Sequence, residues 1–139
     1  MQQSFILLFS LIIGGAQIQT TSYELEVNIE NLEPTKGTLY ITLFNSEDGF
    51  KNDNFYRFKK LQVTKDMAPI RFETLPTGNY ALKVFHDINN NGQLDVSLFG
   101  IPKEPYGFSN NAMGAFGPPN FEQCSITLTE NKTIAIRLR

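Results

Sequence analysis

Tyr23-Glu24-Leu25-Glu26-Val27-Asn28-Ile29-Glu30 alternates apolar and polar residues without a break. Successive side chains of a strand leave opposite faces, so a period of two puts Leu25, Val27 and Ile29 against a core and the carboxylates in water. The same pattern returns after a turn over Asn31–Gly37 that holds Pro34 and Gly37, with Leu39, Ile41 and Leu43 set against Tyr40, Thr42 and Phe44. Further strands are expected near Arg57–Val63 and Pro69–Leu75, joined at Lys65 and Asp66. Near the end, Cys124, Ile126 and Leu128 alternate with Ser125, Thr127 and Thr129, and Ile134, Ile136 and Leu138 with Ala135 and Arg137. Ser46–Tyr56, rich in Asp and Asn, reads as a polar loop pinned by Phe50 and Phe55. Glu47, Asp48 and Asp53 in that loop belong at the end opposite the turns near Glu33 and Asp66, if strands simply alternate in direction.

Between these strands lies Leu75-Pro76-Thr77-Gly78-Asn79-Tyr80, followed by Leu82 and Val84. Proline and glycine make the turn, and the tyrosine enters the next strand with its hydroxyl free to bond back to the turn. The pattern resembles the corner of transthyretin-like and collagen-adhesin B-type sandwiches, and it works like the tyrosine corner of immunoglobulin-type domains. Short strands with turn signals and no helical period predict an all-β fold: an antiparallel seven-stranded immunoglobulin-like or transthyretin-like β-sandwich with one long loop.

The fifth of these strands ends in His86-Asp87-Ile88-Asn89-Asn90-Asn91-Gly92-Gln93-Leu94-Asp95. Oxygen-bearing side chains stand at alternate positions around a glycine, which is the spacing of a calcium loop. Asp87, Asn89 and Asn91 fall at its first, third and fifth places, Gln93 where a backbone carbonyl is used, and Asp95 where a ligand acts through water. Leu98 stands where a bidentate Glu would close the site, so the affinity expected is weak. The competing reading is an Asn-rich turn built on Asn91-Gly92. His86, the single histidine, has no second histidine or serine nucleophile motif beside it, and reads as a strand-end residue that hydrogen-bonds the long loop.

From Asp87 to Glu122 neither a helical period nor a clear strand is visible. A connection of that length with many aromatics is functional more often than idle. Tyr106, Phe108 and Phe116, with Asn110 and Asn111 as hydrogen-bonding groups, form a candidate surface for a glycan or peptide; the alternative is that the rings cap the open end of the sandwich. Phe85-His86-Asp87 leading to Asn89, Asn91, Gly92 and Asp95, then Gly100-Ile101-Pro102, Tyr106-Gly107-Phe108-Ser109-Asn110-Asn111 and Phe116-Gly117-Pro118-Pro119-Asn120-Phe121, resemble the bacterial secreted family called domain of unknown function 2141. The resemblance implies export to the envelope and a sandwich fold, and it carries no catalytic residues.

The chain has 139 residues, which suits one domain. An apolar run over residues 5–13, followed by Gly14, Gly15 and Ala16, predicts a signal peptide over 1–16 and a mature domain over 17–139; the run is too short to span a membrane. A formal charge of -2 gives no basic stripe for nucleic acid. Cys124 is the single cysteine, so no internal disulfide forms, and it reads as a small buried hydrophobe. The function expected is a non-enzymatic periplasmic or extracellular module, its calcium-stiffened loop presenting a surface to a glycan, a peptide or an envelope protein. The alternative is a metal-assisted hydrolase built on the same loop with His86.

Overall fold

Two β-sheets packed face to face carry the molecule, whose computed structural model describes residues 20–139. The expected signal peptide lies outside the described residues. The elements in order are β1 (Ser22–Glu30), β2 (Thr38–Phe44), α1 (Glu47–Lys51), β3 (Arg57–Gln62), β4 (Ile70–Pro76), β5 (Gly78–Asp87), β6 (Tyr106–Phe108), a 3-10 turn (Ser109–Asn111), α2 (Phe121–Cys124), β7 (Ile126–Leu128) and β8 (Lys132–Arg137). One sheet has the order β4-β1-β8, the other β3-β2-β5-β6, with β7 paired to the start of β5.

The alternation sets the core. Leu25, Val27, Leu39, Ile41, Leu43, Ile126, Leu128 and Ile136 are buried as the period of two requires, together with Phe72, Leu75, Leu82 and Val84. Ile29 and Ile134 are half-buried, because one ends β1 and the other lies on an edge strand of the narrower sheet. Tyr80 is buried, and its hydroxyl donates to the Pro76 carbonyl at 2.8 Å, closing the corner. The turns at Glu33 and Asp66 lie at the Asp87 end: Thr38 is in register with Asp87, and the Val63 N–H donates to the Gly37 carbonyl. The acidic stretch that holds Glu47, Asp48 and Asp53 follows β2 at the other end.

The structure corrects several expectations. Among the described residues there are eight strands, the addition being β6, three residues inside the stretch that showed no strand pattern. Pairing is not wholly antiparallel: β8 runs parallel to β1 from Leu25↔Lys132 to Glu30↔Arg137. The reason is that β7 descends beside β5 in one sheet, and the turn after it carries the chain across to rise in the other, in the direction β1 already takes. Two short helices replace expected irregular chain. The Ser46 side chain caps α1 by accepting from the Gly49 N–H, and Asn120 with Gln123 forms a reciprocal capping box on α2. Cys124 therefore ends a helix instead of entering a strand. Phe50 is buried as expected, whereas Phe55 is 53% exposed and pins nothing.

The helices cover the lower outer face of the larger sheet with a second small core of Phe44, Phe50, Ala81 and Cys124, onto which Phe108 and Phe121 pack. Upper positions on that face keep their rings half-open, with Tyr40 stacked on Phe85 at 4.6 Å between centroids. On one side the sheets are joined: Tyr106 and Arg139 exchange both backbone hydrogen bonds. Gly107 allows this approach, since a Cβ there would lie 2.9 Å from Ile136 Cγ2 and 3.0 Å from the Arg137 carbonyl. On the other side β3 and β4 both lack a second partner among the described strands, and the sandwich is open.

Two outcomes check this packing. Burial pushes the Cys124 thiol up to about 11, so the native chain should resist iodoacetamide at pH 8 and react once denatured. Tyr80→Phe removes the hydroxyl bond to Pro76 and should cost about 1 kcal/mol, read as a fall of about 3–6 °C in Tm.

Candidate functional site

The long strand β5 delivers two buried polar residues at its upper end, and they have different uses. His86 is fully buried; its backbone N–H donates to the Pro105 carbonyl, and its Nε2 lies 2.6 Å from the Lys36 carbonyl. A carbonyl only accepts, so Nε2 carries the hydrogen, and Nδ1 is left as a buried acceptor with no partner. The histidine thus ties β5 to the turn before β2 and to the end of the long loop.

Asp87 is likewise 0% exposed. Its Oδ1 accepts from the Asn91 N–H at 3.1 Å and its Oδ2 from the Gly92 N–H at 2.8 Å, which folds the next residues back over it. Asn89 Oδ1 accepts from the Asn91 N–H, and Asn91 Oδ1 from the Gln93 N–H, each an Asx turn two residues long. Asn90 and Gly92 take the left-handed conformation such a winding needs, with φ of 58° and 81°. The amide nitrogens of Asn89 and Asn91 converge on Asp95, at 2.6 and 2.8 Å from its two carboxylate oxygens. All five residues singled out by spacing, Asp87, Asn89, Asn91, Gln93 and Asp95, are therefore brought into one compact loop.

Sequence reasoning missed Glu104. It is 7% exposed, and its carboxylate accepts from the Ile88 N–H at 2.9 Å and from the Asp95 N–H at 3.0 Å. One side chain thus clamps the entry and the exit of the loop. The signal for it was faint, an acidic residue standing alone in an aromatic and glycine-rich stretch. Among the described residues, Asp87, Asp95 and Glu104 form no ion pair with Lys or Arg. Nor do three or more His, Cys, Asp or Glu among the described residues gather into a metal-holding group.

Beyond Asp95 the same loop builds one wall of a cleft of about 560 Å³. Val96 and Pro102 form an isolated bridge, and Lys103 N–H donates to the Asp95 carbonyl, so the stretch is a tight hairpin. Leu94, Phe99 and Ile101 face Met113 and Phe116 across the cleft, with Tyr106 and Phe108 lining it from β6. Of the candidate ligand surface, Tyr106 and Phe108 are half-buried and Phe116 is exposed. Asn110 and Asn111 act on the chain itself. Asn110 Nδ2 donates to the Gln123 and Ser125 carbonyls, and Asn111 Oδ1 accepts from the Arg137 N–H. A second groove, at the open side, is lined by Arg57, Lys59, Arg71 and Glu73. The Arg57 guanidinium crosses it to bond the Glu73 and Thr74 carbonyls, so its most prominent cation serves the fold.

Fold and site define an all-β, two-sheet protein in which an acidic, Asn-rich loop is clamped beside an apolar cleft. Residues 27–136 match the family domain of unknown function 2141, described as an uncharacterized protein conserved in bacteria, and the chain belongs to that family. No curated protein and no solved structure matches the chain. Among the described residues, no helix is long and apolar enough to cross a membrane.

The clamp is testable by itself. Glu104→Ala leaves two part-buried N–H groups without their charged acceptor, and should cost about 2 kcal/mol. Hydrogen exchange at Ile88 and Asp95 should accelerate well beyond that of the core strands.

Proposed function

We propose that the chain is an exported, non-catalytic binding module of the bacterial envelope, in which a weakly held calcium ion stiffens the 87–104 loop and so fixes one wall of the apolar cleft. The observation that carries this reading is electrostatic. Asp87, Asp95 and Glu104 each accept hydrogen bonds from N–H groups of the same loop, two of them are buried, and among the described residues no Lys or Arg pairs with any of the three. Buried charge is costly unless it is paired or coordinates a metal. A dication supplies the missing charge. Asp87, Asn89, Asn91, the Gln93 carbonyl and Asp95 would hold it, and an all-oxygen donor set of this kind favours calcium over zinc. Export is supported by the apolar run at 5–13 and the small residues after it.

Affinity follows from the donors. Leu98 stands in the closing position, so the bidentate contact of a tight site is missing, and the side-chain oxygens of Asp87, Asn89, Asn91 and Asp95 already accept hydrogen bonds that an ion would have to share or displace. A Kd of about 10⁻⁴ to 10⁻³ M is expected. The cleft supports an apolar ligand over a glycan, because the amides of Asn110 and Asn111 are engaged with backbone while its lining is aromatic and aliphatic.

Millimolar calcium should raise the melting temperature by about 2–8 °C, with magnesium doing less because it resists dehydration. Asp95→Asn should remove that shift while leaving the fold intact, and calorimetric titration should give the millimolar-range Kd directly. Identical melting in calcium and in chelator would return the loop to an Asn-rich turn.

A further inference from the structure

Six large apolar side chains stand exposed in two short segments at the cleft: Val96, Phe99 and Ile101 line it, with Leu98 beside them in the same turn, and Met113 and Phe116 line it from the second segment. Leu98, Phe99 and Phe116 are 102, 90 and 105% exposed, so their side chains project at the rim of the cleft. An exposed apolar patch of this kind marks a protein or membrane contact. Three features select the membrane.

The first is charge. Residues 96–102 and 112–119 contain no Asp, Glu, Lys or Arg. Cations begin at the base, with Lys103 after the hairpin and Arg139 lining the cleft. Arg139 also donates to the Asn111 carbonyl at 2.8 Å, and these two cations at the base of an uncharged tip suit phosphate headgroups above acyl chains. The second is backbone satisfaction. In the tip, Ser97 N–H donates to the Ile101 carbonyl, Gly100 N–H to the Ser97 carbonyl, and Phe99 and Ile101 N–H both to Ser97 Oγ. Four of the five N–H groups of residues 97–101 are thus closed within the turn, which lowers the cost of entering an apolar phase and leaves little for strand addition by a protein partner; in 112–119 only the Ala112 N–H is bonded, to the Ser109 carbonyl, so that backbone suits the hydrated headgroup level and only its side chains reach deeper. The third is shape, since isolated convex tips enter a fluid phase without needing a complementary pocket.

We infer that the 97–101 turn inserts into the interface of an anionic lipid membrane together with the Met113 and Phe116 side chains, with Lys103 and Arg139 at headgroup depth. This rests on the cleft being the ligand surface, and names its partner. The carboxylates of Asp87, Asp95 and Glu104 sit just behind the hairpin, so anionic lipid repels them until a cation compensates. Calcium therefore strengthens the contact.

The chain contains no tryptophan, so Phe99→Trp places a single indole at the tip and Phe55→Trp a single indole away from it, beyond the opposite end of the sheet. Each full-length variant is mixed with phosphatidylcholine vesicles, with or without phosphatidylglycerol, in calcium or in chelator. The expected result is a blue shift and quenching by brominated lipid for Phe99→Trp, strongest with phosphatidylglycerol and calcium, and neither for Phe55→Trp. Adding Leu98→Ser and Phe116→Ser to the tip variant should weaken partitioning by at least about tenfold. Unshifted emission from Phe99→Trp in every vesicle overturns the inference. So does a shift that appears on raising protein concentration without lipid, which would make the patch an interface between copies. Calcium-raised melting with silent tip fluorescence sinks the membrane contact and keeps the calcium loop; equal quenching in calcium and chelator, with melting unmoved by calcium, does the reverse.

Discussion

The backbone ladder of β5 is the constraint from which the other parts hang. Its ten residues pair with β2 along seven register positions, with β7 at the start and with β6 toward the end. Its inward side chains, Tyr80, Leu82 and Val84, are core. The outward ones do three different things: Ala81 enters the small second core, Lys83 donates to the Phe50 carbonyl and to Asp53, and Phe85 stacks on Tyr40. Shifting that register by one residue would exchange these two sets and dissolve both cores at once.

Because β5 is fixed so firmly at its lower end by the corner and β7, its upper end can carry strain. Asp87 and Glu104 are buried there at a desolvation cost that hydrogen bonding to backbone only partly offsets. Gly37 makes room for this: a Cβ on it would lie 2.4 Å from the Asp87 carbonyl. The acidic loop is thus built into the frame of the sandwich at its root, and at its far end Asp95 is bonded through its backbone to Lys103 and Glu104 at the base of the hairpin that lines the cleft.

What was legible in the sequence follows from range. The period of two in β1, β2 and β5 and the Tyr80 corner are local patterns, and each appears where the pattern puts it; the oxygens spaced from Asp87 to Asp95 share one loop, where they accept from that loop's own N–H groups. Strand β6 was hidden because three residues centred on a glycine show no alternation, and its pairing is imposed by β5 and by Arg139. Helix α2 had its capping signal, Asn120 and Gln123 at the right separation, but no apolar period to follow it, so the signal pointed at nothing. The parallel seating of β8 and the clamp of Glu104 join residues far apart along the chain, and only packing decides such contacts. Asn110 and Asn111 looked like ligand-facing amides; they take left-handed backbone and anchor neighbouring carbonyls and N–H groups, a use that composition does not distinguish from binding.

The open side between β3 and β4 has a bearing on how this protein keeps company with itself. Two bare strand margins are an invitation to sheet growth from one molecule to the next. Here the invitation is withdrawn by side chains: Arg57 occupies the Glu73 and Thr74 carbonyls of β4, Lys59 lies over Phe72, and a kink at Thr74, with φ of 55°, bends β4 out of a flat edge. Lys59 and Lys60 add like charge that a second copy would have to meet. The flank away from the apolar tips is thus closed to edge-to-edge pairing of strands.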